Sequence, residues 1–285
     1  MIGDVVLRRS AAARARLPLA RRLSGGLLIA FVALLAALAL LGGTLAPQDP
    51  NAVHLSEALQ GPSWAHPMGT DKLGRDYFSR MLTGARTTLG TGILIALIAT
   101  VGGSLIGFTA GWVGGRVDGA LMRVLDVVMV FPGILLALIG VAVLGPSTST
   151  AVIAVGLTMI VPVARVARAT MLKLREEPLV ESARMAGAGD VAVVFAHLVP
   201  NALVPIIVQG SLIAADAILI VAGLGYLGVG AQPPTAEWGV MLSESQSALS
   251  TGLHLAIFPG VAILVAALAF NLVGDRFGGR LQGRS

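Results

Sequence analysis

Asp126 and Asp216 each sit inside a long apolar run. A carboxylate left unpaired in hydrocarbon costs several kcal/mol, so such a residue marks an ion pair, a polar cavity or a partner chain. Arg123 precedes Asp126 by three residues and offers an i,i+3 partner near a membrane face, whereas Asp216 has no base nearby in sequence. Two acids without a chain of ionisable partners make a poor proton relay. The remaining chemistry is sparse. With no cysteine, disulfides and thiolate metal sites are excluded. His54, His66, His197 and His254 lie far apart without ligand spacing, so no metal centre is expected, and the proximity of His54 to Glu57 reads as coincidence. There is no GxxxxGK[ST] loop to cradle phosphates, and no HExxH or GxSxG motif. No catalytic residue and no bound cofactor are expected.

The elements that must position the two acids are membrane spans. Of 285 residues, 55% are hydrophobic and 12% charged, against about a quarter charged in ordinary soluble domains. Six apolar stretches stand out, over 25–46, 88–112, 122–144, 150–170, 203–229 and 253–273, each near the roughly 20 residues that span a hydrocarbon core. The expected class is an all-α membrane protein of about six transmembrane helices. A basic segment over 1–24 precedes the first span, which is too long for a cleaved signal sequence and reads as an anchor. Of the 20 Lys and Arg residues, only Lys72, Arg75, Arg80 and Arg86 fall on the outer side if both termini are cytoplasmic, as the positive-inside rule prefers. Those four are the tension in that orientation, partly offset by Asp71 and Asp76. The basic excess lies beside apolar spans without aromatic interleaving, which argues for a lipid bilayer and against nucleic acid.

Two segments between spans are long enough for structure of their own. The first, 47–87, starts with a proline-rich turn and offers Thr70 or Asp71 as a cap for a polar helix to about Arg86, with Asp76 and Arg80 at pairing distance i,i+4. The second, 171–202, reads as a helix, a glycine-broken turn and another helix, within a five-helix core spanning 88–273, with a tail over 274–285. In the second span, Gly103, Gly107 and Gly111 share one face and admit a close neighbour. Pro132, Pro162, Pro205 and Pro259 interrupt spans and predict kinks.

The run Glu181-Ser182-Ala183-Arg184-Met185-Ala186-Gly187, followed by Pro200, resembles the cytoplasmic EAA loop of ABC-importer permeases. His66-Pro67-Met68-Gly69-Thr70-Asp71-Lys72-Leu73-Gly74-Arg75-Asp76, then Ser79-Arg80 and Gly84-Ala85-Arg86, is similar to a stretch of the peptide and nickel permeases. Gly111-Trp112, Asp118, Met122-Arg123, Pro233-Pro234, Glu237-Trp238-Gly239 and Asn271-Leu272 continue the match, which covers about residues 60–276. The chain thus resembles the dipeptide/oligopeptide/nickel group, and within it the DppC/OppC-type subunit.

That resemblance implies a type I ABC-importer permease fold in a bacterial inner membrane. It implies a second, similar permease chain as heterodimer partner, two ATP-binding subunits that carry ATP and Mg, and an extracytoplasmic substrate-binding protein. Glu181, Ser182, Ala183, Arg184, Gly187 and Pro200 would form the ATPase-coupling loop, with Glu181 and Arg184 fixing its register. Gly69, Thr70, Asp71, Gly74, Arg75, Asp76 and Arg80 would form the outer-loop motif. The expected solutes are di- and oligopeptides, with nickel, glutathione or another small solute as alternatives. A proton-coupled carrier is the rival from another class. Val221 departs from the family, whose members usually carry a glutamate there, and its polar contact is absent or moved, with Asp216 as the candidate.

Overall fold

The computed structural model describes residues 25–282, with side chains described from 30 to 278; the basic segment expected at 1–24 and Arg284 lie outside them. Nine helices are named here: α1 (Gly25–Leu41), α2 (Tyr77–Val113), α3 (Gly115–Met129), α4 (Gly133–Leu144), α5 (Thr148–Leu174), α6 (Pro178–Met185), α7 (Asp190–Tyr226), α8 (Trp238–Ser245) and α9 (His254–Gln282). Among the described residues, β-structure is limited to one isolated bridge, Thr70 to Asp76. Helices dominate because in hydrocarbon the backbone must satisfy its own polar groups.

Helices α2, α5, α7 and α9 are each long and apolar enough to cross a bilayer. The expected third span differs. It is two helices, α3 and α4, meeting at 82°. Pro132 stands at the break as the N-cap of α4, where its missing N–H and fixed φ end one helix and start the next. Four helices therefore meet the length and composition of a crossing, five if the bent pair is one broken span, against the six expected; α1 is a shorter apolar helix against α2 and α9. The second span also differs from the expectation over 88–112. The polar helix and the span are one element, α2, whose 37 residues extend for roughly 55 Å at 1.5 Å per residue. It therefore projects well beyond a hydrocarbon core of about 30 Å. Asp76, not Thr70 or Asp71, caps it, accepting from the Ser79 N–H at 2.8 Å.

The centre of the bundle is the parallel contact of α2 with α5, in which Gly103, Gly107 and Gly111 meet Val163, Ala167 and Met171 in turn. Gly103, Gly107 and Gly111 stack along it as their spacing predicts. A Cβ on Gly107 would lie 2.3 Å from the Ala164 carbonyl oxygen, and one on Gly103 would lie 2.8 Å from that of Ile160. Helix α7 packs across α2, α5 and α9. Its entry contains one widened π turn, Val194–Leu198. Pro200 cannot donate a backbone hydrogen bond and its ring crowds the carbonyl four residues back; the wider turn relieves both.

Gly107→Ala is expected to lower stability by about 1–3 kcal/mol, because backbone cannot yield as a side chain does. Gly90 has open space around it, so Gly90→Ala is expected to cause no loss. Thermal unfolding of the detergent-purified chain compares the two.

Candidate functional site

At one end of the bundle, Gly69 through Arg80 fold into a knot on the start of α2. The Thr70 hydroxyl donates to the Glu57 carbonyl and accepts from the Gln60 N–H. Asp71 accepts from the N–H groups of Leu73 and Arg75 and from Arg75 Nε at 2.6 Å. Gly74 has φ +73°, and a Cβ there would lie 1.8 Å from the His54 carbonyl oxygen, so only glycine closes the turn. Gly69 is pressed similarly against the Gln60 carbonyl. Arg80 is fully buried.

The expected Asp76–Arg80 pair is not formed. Asp76 takes His66 Nδ1 at 2.9 Å while capping α2. Arg80 instead donates to Glu244 at 3.0 Å, shares Asp71 at 3.6 Å, and reaches the carbonyls of Pro50 and Pro234. Arg75 joins Glu244 at 3.1 Å. Two guanidiniums and two carboxylates thus neutralise one another, tying the 47–87 segment to α8. This also eases the charge tension in the sequence, since Arg75 and Arg80 are paired and buried while Lys72 and Arg86 are exposed.

Beside this quartet lies Glu237, 1% exposed. It accepts from the Thr88 hydroxyl and the Val240 N–H, each at 2.9 Å. Burial pushes its carboxyl above the usual range, and these donors pull it back. Trp238 donates from Nε1 to the Met81 carbonyl. A Cβ on Gly239 would sit 2.0 Å from the Ala222 carbonyl oxygen, so α8 lies directly on α7. His66, Glu237 and Glu244 are the residues sequence reasoning missed. His66 and Glu237 were visible as parts of matching motifs, but without their roles, and the partner of Glu237, Thr88, is 149 positions away.

At the opposite end, α6 is clamped to the bundle through Val180, which is buried with Met171, Val193 and Leu198. Its C-terminus closes as a Schellman motif, with Gly187 N–H to the Arg184 carbonyl and Ala188 N–H to that of Ala183. Gly187 provides the left-handed residue, φ +85°, with nothing within 4 Å of a Cβ. Arg184 turns inward to the chain itself, 3.2 Å from Asp190 and 5.2 Å from the Trp112 ring centre. Ser182 bonds back to the Leu179 carbonyl, and Pro200 follows the π turn. Arg175 donates to the Gly111 carbonyl at 3.0 Å, fastening the loop to the end of α2. The outward surface is formed by exposed Leu179, Met185, Val191 and Phe195, with Glu181 among them.

Between the ends, Asp126 does not pair with Arg123. It takes Arg165 of α5 at 2.5 Å, and Asp118 takes Arg168 through both oxygens. Arg165 lies inside a spanning helix and needs an acid, whereas a local pair would leave it bare. The two cross-links hold α3 to α5. Asp216 remains apart, exposed on α7.

The model of the family described as "Binding-protein-dependent transport system inner membrane component" matches residues 103–284. The chain belongs to that family. It is therefore an inner-membrane permease component of a transport system, as the resemblance implied. Among curated relatives, the glutathione transport system permease protein GsiD of Pectobacterium atrosepticum is 42% identical over 86% of this chain and 82% of its own length. The dipeptide transport system permease protein DppC of Alkalihalophilus pseudofirmus is 41% identical over 77% and 72%. The probable D,D-dipeptide transport system permease protein DdpC of Escherichia coli is 41% identical over 81% and 78%. Among solved structures, the MetNI methionine ABC transporter in inward-facing conformations matches with TM-score 0.56 and 17% identity, over 69% of this chain and 93% of that one. The fold is that of an ABC-importer permease.

Glu244→Ala leaves two buried guanidiniums short of an acid and is expected to cost about 3–5 kcal/mol. Glu244→Gln, which keeps an acceptor, is expected to cost less. Protease resistance of the 47–87 segment in the detergent-purified chain ranks the two variants.

Proposed function

We propose that this chain forms half of the solute pathway of an ATP-driven importer, paired with a second permease chain, and that two ATPases grip it through α6 and the turn after it. Solute arrives from an extracytoplasmic binding protein at the end carrying the buried Asp71–Arg75–Arg80–Glu244 quartet. The end carrying α6 and both chain termini is cytoplasmic.

The observation that supports this reading is the surface over 178–195. Helix α6 is fixed from below by Val180 and closed by Gly187, yet Leu179, Met185, Val191 and Phe195 are exposed together around it. A rigid platform with clustered exposed apolar side chains marks a protein interface. Glu181 is the charged group left facing the partner, and Arg184 holds the loop in shape. Nucleotide-driven closure of the ATPases would move α6. Arg175, donating to the Gly111 carbonyl, and the buried Val180 contact would pass that movement to α2, α5 and α7.

The solutes are small peptides. This rests on the names of the relatives, two concerned with dipeptides and one with glutathione, itself a tripeptide. ATP and Mg would be held on the partner subunits, since this chain has no phosphate-binding loop.

In the complete complex, Gly187→Arg is expected to abolish peptide uptake while membrane insertion persists. Gly187→Asn, which tolerates the left-handed conformation, is expected to retain most uptake. Uptake is measured in vesicles loaded with ATP and again with the proton gradient collapsed. Normal uptake by Gly187→Arg would refute the coupling assignment. Uptake that follows the proton gradient and ignores ATP would refute the importer reading.

A further inference from the structure

Helix α7 is asymmetric in a way the coupling loop does not explain. One side, carrying Ile207, Gly210, Ser211 and Ala214, lines an apolar groove against α1, α2 and α9. Its hydroxyl is satisfied internally, Ser211 donating to the Ile207 carbonyl at 3.0 Å. The other side carries Gln209 and Asp216. They are seven residues apart and so share a face, about 10 Å apart along the axis. Neither makes a hydrogen bond or ion pair within the described residues. Asp216 is exposed and sits midway along the apolar stretch 203–229. The same face continues through Leu219 and Gly223 into an open groove toward the outer end, bordered by Tyr226, Leu242, Gln246 and Leu249.

A carboxylate at that depth is not stable against lipid; it faces water, a ligand or another protein. Two unpartnered polar side chains two turns apart trace a line along the membrane normal rather than a single contact point. We propose that this face of α7 lines the solute route, and that Asp216 holds a positively charged group of the passing solute. This rests on the importer reading above: peptides carry a protonated amino group, and basic peptides carry a second cation. The charge of Asp216 matches that group, while the flanking Leu219, which is exposed, and Gly223, with nothing within 4 Å of a Cβ, leave room for varied side chains without strong retention.

The chain has no cysteine, so single cysteines report cleanly. In the complete complex in membranes, Gln209→Cys, Asp216→Cys and Gly223→Cys are expected to react with a membrane-impermeant cationic thiosulfonate. Ile207→Cys and Ala214→Cys are expected to stay unmodified. In uptake assays, Asp216→Asn is expected to lower the ratio of Lys-Ala to Glu-Ala transport at least tenfold, with Asp216→Glu restoring most of it. Labelling of both faces alike, or of neither, would overturn the route assignment. An equal loss for both peptides would overturn the cation-holding role. So would failure of Asp216→Asn to co-purify with the partner permease, since Asp216 would then pair with that subunit. A wild-type complex that imports neither peptide defeats the peptide reading and the cation role with it, whereas the labelling pattern still decides the route.

Discussion

The close approach of α2 and α5 is the constraint on which the bundle depends. With glycine at 103, 107 and 111, the backbone of one helix rests on the backbone and short side chains of the other. In lipid, little but such packing draws apolar helices together, so shape does the work that water does in a soluble core. The seam also connects the two ends of the molecule. Helix α2 begins in the Gly69–Arg80 knot and ends where Arg175, just past α5, holds the Gly111 carbonyl. The loop after α5 and that knot are therefore joined by one continuous helix.

Charge is treated differently at each level of this bundle. At the end carrying the Gly69–Arg80 knot, Arg75 and Arg80 are buried and balanced by Asp71 and Glu244. Lower down, Arg165 and Arg168 reach across to Asp126 and Asp118 in partly exposed pairs. The first arrangement fixes a segment whose backbone is irregular and would otherwise have little to hold it. The second joins α5 to α3, while α4 packs on α5 through its own apolar contact, with Ala137 buried among Ala151, Val152 and Val155.

Much of this was legible in the sequence, because it depended on spacing along one element. The period-four glycines announced the seam, and Gly187 announced the break after α6. The outer-loop motif was recognised as a unit, but its purpose was hidden. Glu244 is more than 160 positions from Arg75 and Arg80, and pairing over such distances leaves no periodic trace. Local pairing rules also misled. Arg123 and Arg80 stood at the right spacing from Asp126 and Asp76, yet each acid found a better partner from another segment. Pro132 signalled a disturbance, but not that the chain would turn by 82°, since how far it bends is decided by what the two halves pack on.

The widened turn at Val194–Leu198 carries a further implication. One extra residue in a helical turn shifts everything beyond it by about 100° around the axis. The surface at Val191 and Phe195 and the line through Gln209 and Asp216 are thus set at a fixed angular offset. The segment behaves like a keyed shaft, in which rotation at one end arrives at the other with its orientation already chosen. Chain length across this turn is consequently a geometric parameter. Losing one residue there would swing the polar line of α7 into its packed side while leaving every local contact chemically plausible.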